Sequence, residues 1–125
     1  MIADTNGLSY LADGDLRVRD LVAQADALEI PAVVLGEYRY GLGQSRHKET
    51  QQRWLQNLLS RSRVLNITEE TAFWYAEIRL ELKRAGQPIP ANDLWIAALC
   101  RQHNLPLLSR DRHFDNVAGL RRIAW

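Results

Sequence analysis

Glu29-Ile30-Pro31-Ala32-Val33-Val34-Leu35-Gly36-Glu37 is a mostly apolar run that closes on a glycine and an acid. Ile30, Val33 and Val34 are β-branched, and such side chains suit the pleated surface of a strand. The spacing predicts a buried strand over 29–35 and a helix from Gly36 through Tyr40, ended by Gly41 and Gly43. A strand that hands over to a helix is the unit from which parallel α/β sheets are built. Three other segments have the same form: Met1-Ile2-Ala3-Asp4-Thr5-Asn6, Ile89-Pro90-Ala91-Asn92-Asp93 and Leu107-Leu108-Ser109-Arg110-Asp111. Each carries a carboxylate at its end.

Working outward, residues 1–4 read as a first strand, and Thr5 with Asn6 starts a turn or short helix through Tyr10 and Leu11. Asp15 is placed to cap a helix whose stripe is Leu16, Leu21, Val22, Ala25 and Leu28. Residues 47–60 form a helix carrying Trp54, Leu55, Leu58 and Leu59. A third strand follows over 63–67, and Thr68 with Glu69 and Glu70 opens a helix that ends near Gly86. Pro88 and Pro90 exclude a helix and mark a connection. Asn92 then caps a helix to about His103, with Asp93 in its first turn. Leu105–Ser109 reads as a fourth strand and Leu120–Trp125 as a fifth. The expectation is one α/β domain over 1–125, with a mostly parallel central sheet flanked by helices on both faces. In such sheets ligands bind beyond the carboxyl ends of the strands.

Bulk properties exclude more than they assign. The chain has 125 residues, enough for one domain that buries about two-thirds of its unfolded surface. Its single cysteine, Cys100, allows no internal disulfide and fits a reducing cytoplasm. It reads as packing on the buried face of the Asp93 helix. No charged-apolar-small leader opens the chain, and no apolar run approaches the roughly 20 residues that span a bilayer. A net charge of +1 gives no global attraction to nucleic acid, so basic contacts must be local.

Taken singly, Asp4, Glu37, Asp93 and Asp111 are each explained as a turn, cap or first-turn acid. Together they occupy equivalent topological positions on one sheet edge. Two carboxylates about 5 Å apart repel by roughly 3 kcal/mol at an effective dielectric near 20. A hard divalent cation resolves that repulsion and leaves room for water and phosphate. The arrangement points to phosphodiester cleavage.

The Asp4-Thr5-Asn6 start, Pro31–Gly41, Ile89–Ala98 with Asn92-Asp93, and Leu107–Asp115 resemble the motifs of PIN-domain ribonucleases, most closely the VapC toxin subfamily of type II toxin–antitoxin modules. The likeness runs in order and spacing over essentially the whole chain. It implies a metal-dependent endoribonuclease using Mg²⁺ or Mn²⁺, held mainly by Asp4 and Asp93, with Asp111 helping directly or through water. Glu37 would complete the pocket by orienting the attacking water or holding a second ion, and in-line attack would leave a 5′-phosphate and a 3′-hydroxyl. Asn6 and Ser109 are placed to position carboxylates by hydrogen bonding, and Asp115 is a fifth acid that could instead brace its loop. Arg39, Arg46, Lys48, Arg110 and Arg112 are candidate phosphate contacts on RNA. The resemblance also implies a VapB-type antitoxin, whose arginine reaches such pockets, and a homodimer. Core packing is the first explanation for the apolar surface of Trp54, Leu55, Leu58 and Leu59; a groove for an amphipathic partner helix is the alternative, which the resemblance favours.

His47, His103 and His113 share no metal-ligand spacing and read as surface or helix-end residues. A receiver-like metal pocket is disfavoured, because Asp4 has no second carboxylate two residues on and Ser109-Arg110 stands where a lysine is expected. A non-catalytic module that binds RNA or a partner is the remaining alternative.

Overall fold

Strands form where the chain is both apolar and enclosed, and here those stretches are two or three residues long. The computed structural model describes residues 1–125 and has the elements β1 (Ile2–Ala3), α1 (Thr5–Ala12), α2 (Leu16–Gln24), β2 (Glu29–Pro31), α3 (Ala32–Gly43), α4 (Lys48–Leu59), β3 (Arg63–Leu65), α5 (Glu69–Ala85), α6 (Ala91–His103), β4 (Leu107–Leu108) and β5 (Arg122–Ile123). A 3₁₀ helix, Arg112–Asn116, lies between β4 and β5. The strands pair in the order β3-β2-β1-β4-β5, all parallel. Ile2, Ile30, Leu107 and Leu108 are fully buried along its centre. No helix is long and apolar enough to cross a membrane.

The opening segment departs from the expected strand over 29–35. β2 ends at Pro31, which has no N–H to donate and whose φ of −59° leads into α3. Val34, Tyr38 and Leu42 then face the interior at intervals of four, a helical stripe. Burial of that stripe overrides the strand preference of Val33 and Val34. Glu37 therefore sits in the second turn of α3, not at a strand end.

Local rules hold better elsewhere. Asp15 caps α2 by accepting from the Arg17 and Val18 N–H groups. The stripe differs from the expected one: Val18 is the buried residue, Leu16 is 72% exposed, and Leu28 is buried beyond the helix end. Thr68 and Thr71 cap α5 reciprocally, and Gly86 closes it in the left-handed conformation at φ +67°. α6 starts at Ala91 behind Pro90, which offers no side-chain cap. Asn92 is thus not the cap, and its amide is free for another partner. Cys100 is enclosed in α6 and burial pushes its thiol up to about 12, which fits packing.

The connections from β1 to β2 and from β2 to β3 step one way across the sheet, while that from β3 to β4 returns past β1. Right-handed crossovers then set α1–α4 on one face and α5–α6 on the other. The direction reverses between β1 and β4, and their carboxyl ends frame the crevice where parallel sheets bind ligands. Gly7 lets α1 start close to that edge, since a methyl group there would lie 3.1 Å from the Leu108 carbonyl oxygen and 3.3 Å from Asp4 Oδ1.

Candidate active site

Asp4 leaves β1 at the crevice. Its N–H donates to the Leu108 carbonyl at 3.2 Å, and its Oδ1 accepts from the Gly7 N–H at 2.7 Å, so one residue ends the strand and caps α1. Asp4 as a whole is only 4% exposed. Burial raises its pKa, the nearby Ser109 hydroxyl and Gly7 N–H lower it, and the charges of Asp111 and Asp93 raise it again. Ser109 is fully buried at the end of β4, and its hydroxyl accepts from the Asp111 N–H at 3.0 Å. It therefore stands between two of the acids.

Glu37 is exposed on α3 yet held at both oxygens. Thr5 donates its hydroxyl to Oε2 and Asn92 donates its amide to Oε1, each at 2.6 Å. These contacts tie α1, α3 and α6 together at the mouth of the crevice. Asn6 is exposed and makes no such bond, so the helper in this turn is Thr5.

Asp93, Asp111 and His113 form the tightest group, each with one potential ligand atom within 4.8 Å of the others. Asp93 Oδ2 lies 2.9 Å from His113 Nε2. Burial raises the pKa of Asp93, His113 lowers it, and Asp111 and Glu37 raise it further. His113 reads from the sequence as a surface or helix-end residue, because the three histidines share no metal-ligand spacing. The 3₁₀ turn and a residue from another element bring it to the site instead.

The remaining candidates are placed differently. Asp115 accepts from Arg122 at 2.8 and 2.9 Å, and Arg122 also reaches the Ser109 carbonyl at 3.1 Å, so Asp115 braces β5 against the site loop. Arg110 lies 4.6 Å from the Tyr10 ring centroid and 5.0 Å from that of Trp125, and donates to the Tyr10 hydroxyl at 3.1 Å. Arg39, Arg46, Lys48 and Arg112 are exposed and outside any ion pair.

No lysine or arginine pairs with Asp4, Glu37, Asp93 or Asp111. Hard oxygen donors that repel one another fit a divalent cation; burial first, and the neighbouring acids after it, raise the pKa of both Asp4 and Asp93. Both acids take up their proton at higher pH in the folded state than in the unfolded state. Native protein then binds more protons above the unfolded value of 3.8, so metal-free stability falls as pH rises through the raised values. Asp15 and Asp115 are shifted the other way, by hydrogen bonds from Arg17 and Arg122, and lose their contribution only as pH falls below about 3.8. Chelator-treated protein should therefore lose stability as pH rises from about 4 through the raised values, and Asp4→Asn should weaken that fall. A fall unchanged in Asp4→Asn would refute this account.

Residues 1–120 match the PIN domain family model. The chain is 32% identical over 102 residues to ribonuclease VapC2 of Rickettsia felis, covering 81% of this chain and 76% of that protein. It is 33% identical over 97 residues to the tRNA(fMet)-specific endonuclease VapC of Shigella flexneri, covering 77% and 74%. Its fold resembles a chain in the crystal structure of VapBC2 from Rickettsia felis bound to a promoter DNA fragment, with a TM-score of 0.87, 29% identity, and 99% and 97% of the two chains covered.

Proposed function

The chain belongs to the PIN-domain family, and from that premise we propose that it is an endoribonuclease toxin of the VapC type, restrained by a cognate antitoxin. The observation that carries the reading is the gathering of carboxylates that no lysine or arginine neutralises at the reversal point between β1 and β4, with Asp93 and Asp111 in one cluster beside His113. Asp4, Asp93 and Asp111 are the proposed ligands of Mg²⁺ or Mn²⁺, and Glu37 completes the acidic mouth. A divalent ion at this place would lower the pKa of an attacking water and neutralise charge developing on the phosphate. The chain's own work is positional. Gly7 and Ser109 orient the Asp4 carboxylate, while Thr5 and Asn92 hold Glu37 toward the crevice. Cleavage should leave a 5′-phosphate and a 3′-hydroxyl.

The proposed antitoxin site is the groove of about 520 Å³ between α1, α2 and α4, lined by Leu11, Val22, Ala25, Leu28, Trp54 and Leu58. Its apolar residues suit one face of an amphipathic helix, with Arg19, Asp26 and Arg61 lining the same groove. A second copy of the chain and a cytoplasmic setting complete the proposal.

Purified protein incubated with total RNA should cut at discrete sites in Mn²⁺ or Mg²⁺ and not in excess chelator, with end sequencing giving 5′-phosphate termini. Folded protein that cuts nothing in either ion would support a binding module instead. Asn92→Ala frees one oxygen of Glu37, and residues that hold a site acid typically account for about 10–100-fold in activity. The expected loss of cleavage rate lies in that range at unchanged melting temperature, and a rate within twofold of the parent would remove Asn92 from the site.

A further inference from the structure

The divalent-ion reading of the crevice leaves one close neighbour without a task. His113 Nε2 is 2.9 Å from Asp93 Oδ2 and within 4.8 Å of a carboxylate oxygen of both Asp93 and Asp111. That nitrogen is enclosed and lacks a well-aligned hydrogen bond, although the side chain as a whole is 30% exposed. Its ring is steadied by Phe114, with centroids 4.7 Å apart, and Phe114 is fully buried. The imidazole is thus half-buried, set against a core ring and directed at two acids.

We propose that His113 supplies Nε2 as a nitrogen ligand to the ion held by Asp93 and Asp111, and that this makes the site select Mn²⁺ over Mg²⁺. The inference rests on the reading that the crevice holds a divalent ion. Ligand atoms around an ion with bonds of about 2.1 Å lie at most about 4.2 Å apart, so the three groups need only small side-chain movements to close on one. Mg²⁺ takes oxygen ligands and keeps its waters, whereas an imidazole nitrogen favours first-row transition ions. His113 must bind as the neutral ring, with its proton on Nδ1 and the Nε2 lone pair toward the ion. The rival role is purely positional, with His113 only orienting Asp93 by a hydrogen bond.

Untagged protein should be titrated with Mn²⁺ and with Mg²⁺ by calorimetry, and the Mn²⁺ form examined by pulsed electron paramagnetic resonance. The variants are His113→Gln, which keeps a hydrogen-bonding side chain, and Asp93→Asn as the control for the site. The expected result is a nitrogen coupling to Mn²⁺ that disappears in His113→Gln. Loss of that ligand should weaken Mn²⁺ about 10-fold or more, with Mg²⁺ affinity nearly unchanged. Mn²⁺ bound through Asp93 without nitrogen coupling, or equal weakening of both ions by His113→Gln, would overturn the proposal and leave the metal site standing. Failure of both ions to bind the parent protein would overturn this proposal and the metal site together.

Discussion

Asp93→Asn should lower the rate of RNA cleavage by at least about 10³-fold while the protein stays folded. A ligand that holds a catalytic ion supports several kcal/mol of transition-state stabilisation, and about 4 kcal/mol corresponds to three decades in rate. Asparagine preserves the shape of the side chain but removes the charge that an ion would neutralise. Asp93 is also one of the acids that burial and its neighbours push up. Removing its charge should therefore leave the metal-free fold at least as stable as the parent at pH 7.5. Single-turnover cleavage and thermal melts on one preparation check both halves. A variant within tenfold of the parent would show that the chemistry does not run through this carboxylate.

Phe114→Ala should have the largest effect on stability. Phe114 is fully buried in the 3₁₀ helix that follows Asp111. Truncating such a ring removes its burial and leaves a cavity, together about 3–5 kcal/mol. For a domain of this size that lowers the melting temperature by about 10–20 °C. The same ring supports His113, so the variant should lose cleavage even at temperatures where it remains folded. Phe114→Leu should cost under about 1.5 kcal/mol, since it largely keeps the packed volume. Urea titrations of the three proteins test the order, and a loss below about 1 kcal/mol in Phe114→Ala would mean that the loop is anchored elsewhere.

The acids were legible for two different reasons. Asp4 stands directly at the end of β1, and Asp111 lies three residues beyond β4, so short sequence patterns locate both. Glu37 is placed at the mouth of the crevice although β2 ends at Pro31, short of the strand that the β-branched run implies. Its position in α3 follows from the buried stripe Val34, Tyr38 and Leu42, which a β-branched count does not register. Asn92 obeys a local preference only where nothing stronger competes. Its amide serves a charged carboxylate 55 positions away, because Ala91 can begin α6 behind Pro90 without a side-chain cap. Arg110 is a candidate phosphate contact by its neighbours in the chain, while the ring that its guanidinium rests on, Tyr10, is 100 residues distant and was not legible from them.

From the sequence alone come the alternation of strands and helices, the single parallel sheet, the four acids at its edge and the family they resemble. All of these depend on neighbours within a few residues, where propensity and periodicity act. The strand order, the reversal between β1 and β4, the Thr5 and Asn92 grip on Glu37, and the placement of His113 beside Asp93 and Asp111 came only with the tertiary structure. Those features pair groups separated by tens of residues. Such pairs meet because burying the apolar faces of the helices fixes one packing, and the polar contacts at the sheet edge follow from that packing.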